Sequence, residues 1–243
     1  MKGVKMTKSN IDAGRVVRWG LAVVMIGFVA AMFIWNAVNK PETDKLGVWN
    51  VAMTKGDPGA EHHFIEYVDM LCPYCAKFNI ALNEHGDDFR RDYLDNNKVY
   101  YELRLADTIS DHNLNSYRGN IAGYCAARAG AEKFWAFYDA VQTYMNETYY
   151  SKGIGDKKGA PEIPQFDNQV YFDLARDGGL DMEPFRSCLD NQETKTELEQ
   201  NTTRARATIT SGVPYFVFNN YKSSGFDGSY STIEQMFRAG GVK

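Results

Sequence analysis

Cys72 and Cys75 are the residues whose types and spacing most directly suggest chemistry in this sequence. Two cysteines separated by two residues at the start of a helix can close a small disulfide ring, and the N-terminus of the helix stabilises a thiolate on the first sulfur. Pro73 suits the first helical position because its missing N–H would have no partner there. The spacing therefore predicts Cys72 as the attacking sulfur and Cys75, one turn deeper, as the resolving sulfur, and the disulfide of the oxidised enzyme is expected to be exposed.

A single C-x-x-C pair has two other interpretations, half of a zinc site or an inert structural disulfide. A zinc site needs further ligands, but the sequence holds no second C-x-x-C pair, and its four histidines show no ligand spacing. The sequence thus predicts no metal and no cofactor, whereas the inert disulfide stays open as an alternative.

The elements that must position the cysteine pair read as a strand, a turn and a helix. Predicted strands cover residues 48–53, 63–68, 98–105 and 215–218. About a hundred residues of mostly helical pattern separate the third strand from the fourth, and a helix over 232–239 closes the chain. This order predicts an α/β protein with a thioredoxin-like fold over 48–243, with an inserted helical subdomain at about 110–210.

The N-terminal part of the chain reads as a membrane anchor. Residues 19–38 carry no formal charge, and a helix of this length reaches about 30 Å, the thickness of the hydrocarbon core of a bilayer. Residues 1–18 are basic, so the positive-inside rule keeps this tail in the cytoplasm and exports the domain that follows a polar linker over 39–47. A cleaved signal peptide is the alternative, but the apolar run continues past the small residues at 29–31.

The charge distribution argues against binding to nucleic acid. The formal net charge is −4, and the basic residues concentrate in the N-terminal tail, so the remainder of the chain is acidic. A surface that binds backbone phosphates needs a basic face, and no cluster of lysine and arginine follows residue 40. The sequence therefore predicts no nucleic-acid partner.

Several short segments, in a consistent order, resemble the DsbA-like family. The run from Phe64 to Cys75 resembles the family's strand leading into its C-P-x-C helix, and Gly212-Val213-Pro214 resembles its cis-proline loop. Three further segments resemble the helical insertion of this family, namely 123–128, 133–140 and 185–189. The likeness covers roughly residues 48–240 and implies a thiol:disulfide oxidoreductase.

The resemblance implies roles for two further residues. Pro214 would be cis and lie opposite the active-site sulfurs, although an ordinary proline at the start of a strand is the alternative. Glu66, six residues before Cys72, stands where the family places a buried acid that could carry the proton of the resolving thiol. A surface glutamate on the strand is the alternative for Glu66.

Cys125 and Cys188 both fall in the helical block. The predicted export of the domain permits disulfides, so a structural bridge between these two cysteines is expected. Two buried free thiols are the alternative.

The direction of catalysis depends on residues beside the sulfurs. Tyr74 departs from the histidine of the strong oxidases and resembles isomerase-type relatives, whereas Val213 is the oxidase-like residue before the proline. Pro73, Tyr74 and Val213 are also expected to border the groove for the client chain. We expect an oxidase. A disulfide isomerase or reductase using the same cysteines is the first alternative, and a non-catalytic, membrane-tethered binding or assembly protein is the second.

Location and partners follow from the anchor and from the resemblance. We expect a single-pass protein of the bacterial inner membrane, with its catalytic domain on the periplasmic or extracytoplasmic side. Its clients would be reduced or unfolded exported proteins, and the resemblance implies a membrane redox partner like DsbB that re-oxidises the enzyme.

Overall fold

The computed structural model describes residues 13–38, Leu46, Trp49, 53–109 and 114–243. The chain divides into two compact units, one ending at Pro41 and one beginning at Glu42. The first unit contains α1 (Ala13–Val38), a helix of 26 residues.

The whole of the predicted anchor, residues 19–38, falls within α1. Among the helices that the structure describes, none is both long and apolar enough to span a bilayer. The first twelve residues of the basic tail and most of the linker over 39–47 lie outside the described residues. The anchor therefore stays a prediction from the sequence.

The second unit is built on a mixed sheet, and the structure describes five strands in it. They are β1 (Thr54–Lys55), β2 (His62–Val68), β3 (Val99–Leu105), β4 (Tyr215–Phe218) and β5 (Tyr221–Ser224). Their order across the sheet is β1-β3-β2-β4-β5, with β2 and β3 parallel and the other neighbours antiparallel. The central strand β2 is buried from Phe64 to Val68, as expected for a strand covered on both faces.

Helices lie between β2 and β3, between β3 and β4, and after β5, in the predicted order. After β2 come α2 (Pro73–Glu84), α3 (Gly86–Phe89) and a π-helical turn (Arg90–Leu94). Between β3 and β4 lie α4 (Leu114–Arg128), α5 (Ala131–Thr148), a 3-10 turn (Tyr150–Lys152), α6 (Gln169–Asp177), α7 (Met182–Asp190) and α8 (Gln192–Thr208), and α9 (Tyr230–Ala239) follows β5. The predicted thioredoxin-like α/β fold with a helical insertion is therefore confirmed.

The first predicted strand, 48–53, lies mostly outside the described residues. The first strand that the structure describes is β1, although the Met53 carbonyl already accepts the N–H of Leu103 on β3 at 2.8 Å. Gly56 ends β1 with a φ of +87°, and a Cβ at this position would lie 2.5 Å from the Val99 carbonyl oxygen. Only glycine fits this turn without strain.

Aromatic packing fixes the helix that carries the cysteines onto the sheet. Phe64 on β2 packs against Phe216 and Phe218 on β4 and against Phe237 on α9, with ring centroids 5.8, 5.3 and 5.0 Å apart. Phe78 on α2 lies 4.8 Å from Phe216 and joins this cluster. Buried aromatic pairs add specific geometry to the hydrophobic effect, so α2 has a defined position over β2.

Candidate active site

Cys72 is the N-cap residue of α2, where the chain turns from β2 into the helix. Its sulfur accepts the backbone N–H of Cys75, with nitrogen and sulfur 3.3 Å apart. Pro73 occupies the first helical position, as predicted. The first cysteine therefore provides the acceptor for one of the N–H groups that a helix start leaves unpaired.

Both cysteines are free thiols in this structure, and both are buried. In this reduced form Cys72 is only 2% exposed, and the exposed disulfide expected for the oxidised enzyme stays a prediction. Its thiol donates to the Val213 carbonyl, with sulfur and oxygen 3.3 Å apart, so the proline loop covers the sulfur. Tyr74, at 39% exposed, is the residue of the motif that faces solvent.

The peptide bond between Val213 and Pro214 is cis, as the resemblance implied. Tyr215 on β4 pairs with Tyr67 near the end of β2, so the start of β4 lies beside the end of β2 that leads to the cysteines. This pairing brings Val213 against Cys72 across 141 residues of sequence.

Glu66 lies on β2 and is fully buried, which removes the surface alternative. The Tyr101 hydroxyl donates to its Oε2 atom, whereas Oε1 has no hydrogen-bond partner in the part of the chain that the structure describes. Burial raises the pKa of Glu66 to about 8, against the opposing effects of the Tyr101 hydrogen bond and the charge of Lys55. A carboxyl with this pKa can take up or release a proton near neutral pH.

Cys75 is the second titratable group of the site with a perturbed pKa. Burial raises the pKa of its thiol, and the hydrogen bond with Cys72 and the charges of Cys72 and Glu66 raise it further. A thiolate on Cys75 is therefore unfavourable and readily takes up a proton. Glu66 is one of the groups that act electrostatically on this thiol, and its own raised pKa makes it a candidate to exchange that proton.

Tyr101 and Lys55 complete a buried polar cluster around Glu66, and the sequence reasoning missed both. Tyr101 on β3 pairs with Phe64, two residues before Glu66, so its side chain lies on the same face of the sheet. The Lys55 ammonium lies 4.0 Å from the centroid of the Trp135 ring, and burial lowers the pKa of Lys55. No sequence signal could identify these partners, because they depend on the strand order and register.

Asp69, three residues before the first cysteine, is a further residue that the sequence reasoning missed. Through Oδ1 its buried carboxylate accepts the Leu71 N–H at 3.0 Å and the Ser116 hydroxyl at 2.7 Å. Through Oδ2 it accepts the N–H groups of Thr108 and Ile109 at 2.7 and 3.0 Å. These bonds join the turn before the cysteines to the start of the helical insertion. An aspartate that can accept the N–H two residues later is the signal that could have found it.

Three side chains of the helical insertion hold the backbone just before the motif. The Asn120 carbonyl oxygen accepts the Met70 N–H at 3.0 Å, and the Gln142 amide donates to the Met70 carbonyl at 3.0 Å. The Tyr150 hydroxyl donates to the Leu71 carbonyl at 2.8 Å. The buried polar groups of this turn are thereby satisfied, and the insertion is tied to the site.

Cys125 on α4 and Cys188 on α7 form a disulfide with an S–S distance of 2.05 Å, so the expected structural bridge is confirmed. It closes a loop of 63 residues within the helical insertion. The described residues place no group of three or more His, Cys, Asp or Glu side chains where they could hold a metal ion.

Comparison with known proteins identifies the family. The family model described as thioredoxin matches residues 50–236. The chain belongs to the thioredoxin family. Membership of this family, together with the C-x-x-C pair at the start of α2, places the chain in the thiol:disulfide oxidoreductase class. No curated protein matches the sequence.

Solved structures share this form of the thioredoxin fold. Oxidised BdbD from Bacillus subtilis is 16% identical with a TM-score of 0.61, covering 83% of this chain and 95% of that chain. The α-DsbA1 of Wolbachia pipientis is 17% identical with a TM-score of 0.59, covering 80% and 93%. DsbA of Chlamydia trachomatis is 16% identical with a TM-score of 0.57, covering 81% and 97%. At these identities the likeness shows a DsbA-like fold.

Proposed function

We propose that this protein is a membrane-anchored oxidase that introduces disulfides into exported proteins through Cys72 and Cys75. The observation that carries this proposal is the arrangement of the site. Cys72 caps α2 and contacts the Val213-Pro214 loop, while a buried acid, Glu66, acts electrostatically on Cys75. An inert structural disulfide would need no acid with a pKa near neutrality beside it.

The proposed reaction begins with the Cys72–Cys75 disulfide of the oxidised enzyme. A client thiolate attacks the Cys72 sulfur, which forms a mixed disulfide and releases the electron pair to Cys75. Because burial disfavours a thiolate on Cys75, this sulfur takes up a proton, which the protonated carboxyl of Glu66 supplies. A second client thiolate then attacks the client sulfur of the mixed disulfide, releasing Cys72 and leaving the client oxidised by two electrons.

The reduced enzyme must donate the two electrons it took from the client to an acceptor before the next cycle. The resemblance to DsbA-like proteins supports a membrane redox partner like DsbB for this step. Val213 before the proline supports the oxidase direction, whereas Tyr74 in the motif favours an isomerase or reductase, which is the second candidate function. Both candidates use the same cysteines and differ in redox potential.

The anchor and the location are proposed from the sequence of residues 19–38. This uncharged segment follows a basic tail, and its large apolar side chains between Trp19 and Trp35 are exposed on α1. Exposed large apolar side chains over a segment of this length favour contact with lipid over contact with water. We place the domain on the periplasmic or extracytoplasmic side of a bacterial inner membrane. Recovery of the chain in the soluble fraction after cell lysis would contradict the anchor.

The redox potential tests the direction of catalysis. The purified full-length chain is equilibrated with glutathione buffers, and the alkylated cysteines are followed by mass, with Cys125 and Cys188 tracked separately from Cys72 and Cys75. A potential of about −120 mV, that of a strong oxidase, supports the proposal. A potential of about −270 mV, that of thioredoxin, overturns it in favour of a reductase.

A client assay tests whether the pair is catalytic at all. The oxidised chain is mixed with a reduced, unfolded protein, and the appearance of client disulfides is measured. Cys72→Ser should abolish client oxidation, whereas the matched double variant Cys125→Ser/Cys188→Ser keeps the reactive pair and should retain it. Activity that survives Cys72→Ser, or wild-type protein that never exchanges with glutathione, overturns the proposal and leaves a binding or assembly protein.

A further inference from the structure

The loop over residues 151–164 connects the 3-10 turn to α6, and the structure gives it a defined form. The Gly155 N–H donates to the Pro161 carbonyl at 2.8 Å, which closes the loop on itself. Within it, the Ala160 N–H donates to the Lys157 carbonyl at 3.1 Å. The tip is therefore a compact turn that presents Lys157 and the neighbouring Lys158.

Both ends of this loop are fixed to elements of the active site. At one end, Tyr150 donates to the Leu71 carbonyl, immediately before the first cysteine. At the other end, the Asn115 side chain on α4 donates to the Pro164 carbonyl at 3.1 Å and accepts the Phe166 N–H at 3.1 Å. The loop is consequently held beside the motif, and the space between them is preformed.

A cavity of about 430 Å³ occupies this space. Its walls include Leu71 and Pro73, the two neighbours of Cys72 in the sequence, and Ile109. The loop contributes Ala160 and Ile163 on the opposite side. The cavity thus lies next to the residue that carries the reactive sulfur. Its walls are apolar, and its volume is large enough for one side chain of a bound polypeptide.

The residues that line the mouth of the cavity carry two positive charges and one negative charge. Lys157, Lys158 and Glu162 all line it and are all exposed. Asp156 lies 4.0 Å from the Lys157 ammonium and offsets part of that charge, but Asp156 does not line the cavity. The structure describes an ion pair for Lys157 but none for Lys158, so the exposed Lys158 ammonium favours acidic groups on whatever binds there.

We propose that this cavity is a client-docking site that takes an apolar side chain flanked by acidic residues, close in sequence to the client's reactive cysteine. The proposal rests on the oxidoreductase function proposed above and names the class of client segment that the site prefers. Cys72 lies between two wall residues, so a side chain in the cavity belongs to a residue within a few positions of the attacking cysteine. Docking by this segment places the client thiol at Cys72 and lowers KM for such clients.

The test compares two dithiol peptides that differ only in the residues beside a leucine near the first cysteine, acidic in one and basic in the other. The oxidised full-length chain is mixed with each peptide, and KM and kcat are measured for peptide oxidation. For each protein variant, peptide oxidation is compared with the oxidation of dithiothreitol by the same variant. Dithiothreitol is the reference because this small dithiol cannot occupy the cavity while it reacts with the sulfur. Wild type should prefer the acidic peptide through KM, with similar kcat.

Charge reversal at the rim supplies the decisive variant. Lys157→Glu/Lys158→Glu should raise KM for the acidic peptide about threefold to tenfold relative to dithiothreitol, as expected from losing one or two exposed ion pairs. The variant should also prefer the basic peptide over the acidic one. The matched control is Lys152→Glu, the same charge change at an exposed residue of the same segment outside the cavity walls. It should leave the preference unchanged.

Blocking the cavity tests its apolar part separately. Ala160→Trp should raise KM for both peptides, because the larger side chain fills the space for the leucine. An unchanged preference in the double lysine variant, or an equal change in Lys152→Glu, overturns the docking proposal while dithiothreitol oxidation still supports a reactive cysteine pair. A wild-type chain that oxidises neither peptide nor dithiothreitol overturns the proposed function itself.

Discussion

Replacement of Glu66 by glutamine should change how the stability of the protein depends on pH. The buried carboxyl has a pKa of about 8 in the folded chain, against an ordinary value of 4.5. A group whose pKa is raised on folding binds its proton more tightly in the folded state, so the free energy of unfolding falls as the pH rises from 4.5 to about 8. Glutamine is uncharged throughout this range and removes that loss.

The size of the effect follows from the same two values. At 1.36 kcal/mol for each pH unit, an interval of about 3.5 units corresponds to about 5 kcal/mol of stability lost by wild type between the two limits. Below pH 4.5 the carboxyl is protonated in both states and contributes no slope. We therefore expect Glu66→Gln to gain stability relative to wild type by several kcal/mol on going from about pH 5 to about pH 9.

Urea unfolding of the oxidised full-length protein at a series of pH values measures this difference. The oxidised form is chosen because Cys72 and Cys75 do not titrate when they are joined. Glu61→Gln is the control. It makes the same chemical change just before β2 begins, at a side chain that is 76% exposed. Glu61→Gln should retain the slope of wild type.

Parallel curves for wild type and Glu66→Gln between pH 5 and 9 would refute the reasoning. They would mean that Glu66 ionises with an ordinary pKa in the folded chain, so that it could not hold a proton for Cys75 near neutral pH. A loss of slope in Glu61→Gln as well would assign the effect to the overall charge of the protein.

Three further predictions concern the support of the site. Tyr101→Phe removes the hydroxyl that donates to Glu66, so the pKa of Glu66 should rise further and the end of the pH-dependent stability loss should move to higher pH in the same unfolding series. Asp69→Ala removes the acceptor of three backbone N–H groups and two hydroxyls, and it should cost about 3 kcal/mol or more of unfolding free energy, with Asp69→Asn between it and wild type in urea unfolding. Cys125→Ala/Cys188→Ala opens a loop of 63 residues and should lower stability by about 4 kcal/mol, while the glutathione equilibrium of the other two cysteines stays within about twofold of wild type. An unchanged melting temperature of that double variant would contradict the last prediction.

Much of the fold could be predicted because its signals are local. The β4 strand matches its prediction at both ends, β2 and β3 each differ by one residue at the start, and the helix begins where Pro73 follows Cys72. Alternation, apolar runs and helix-start residues act within a few positions of the chain, so the sequence carries them directly. The strand β1 was not predicted, because its two residues pair only at the edge of the sheet and show little pattern, whereas the strand predicted over 48–53 lies mostly outside the described residues.

Motif and spacing were enough to identify the reactive sulfurs, the cysteines left to bridge the insertion, and the position of a buried acid. How these residues act depends on contacts between distant parts of the chain. The cover that Val213 places over Cys72 crosses 141 residues, and the hydroxyl that Tyr101 gives to Glu66 crosses 35. Burial, pKa and access all depend on what packs against a group, and strand order and register bring those neighbours together from parts of the chain that no local spacing connects.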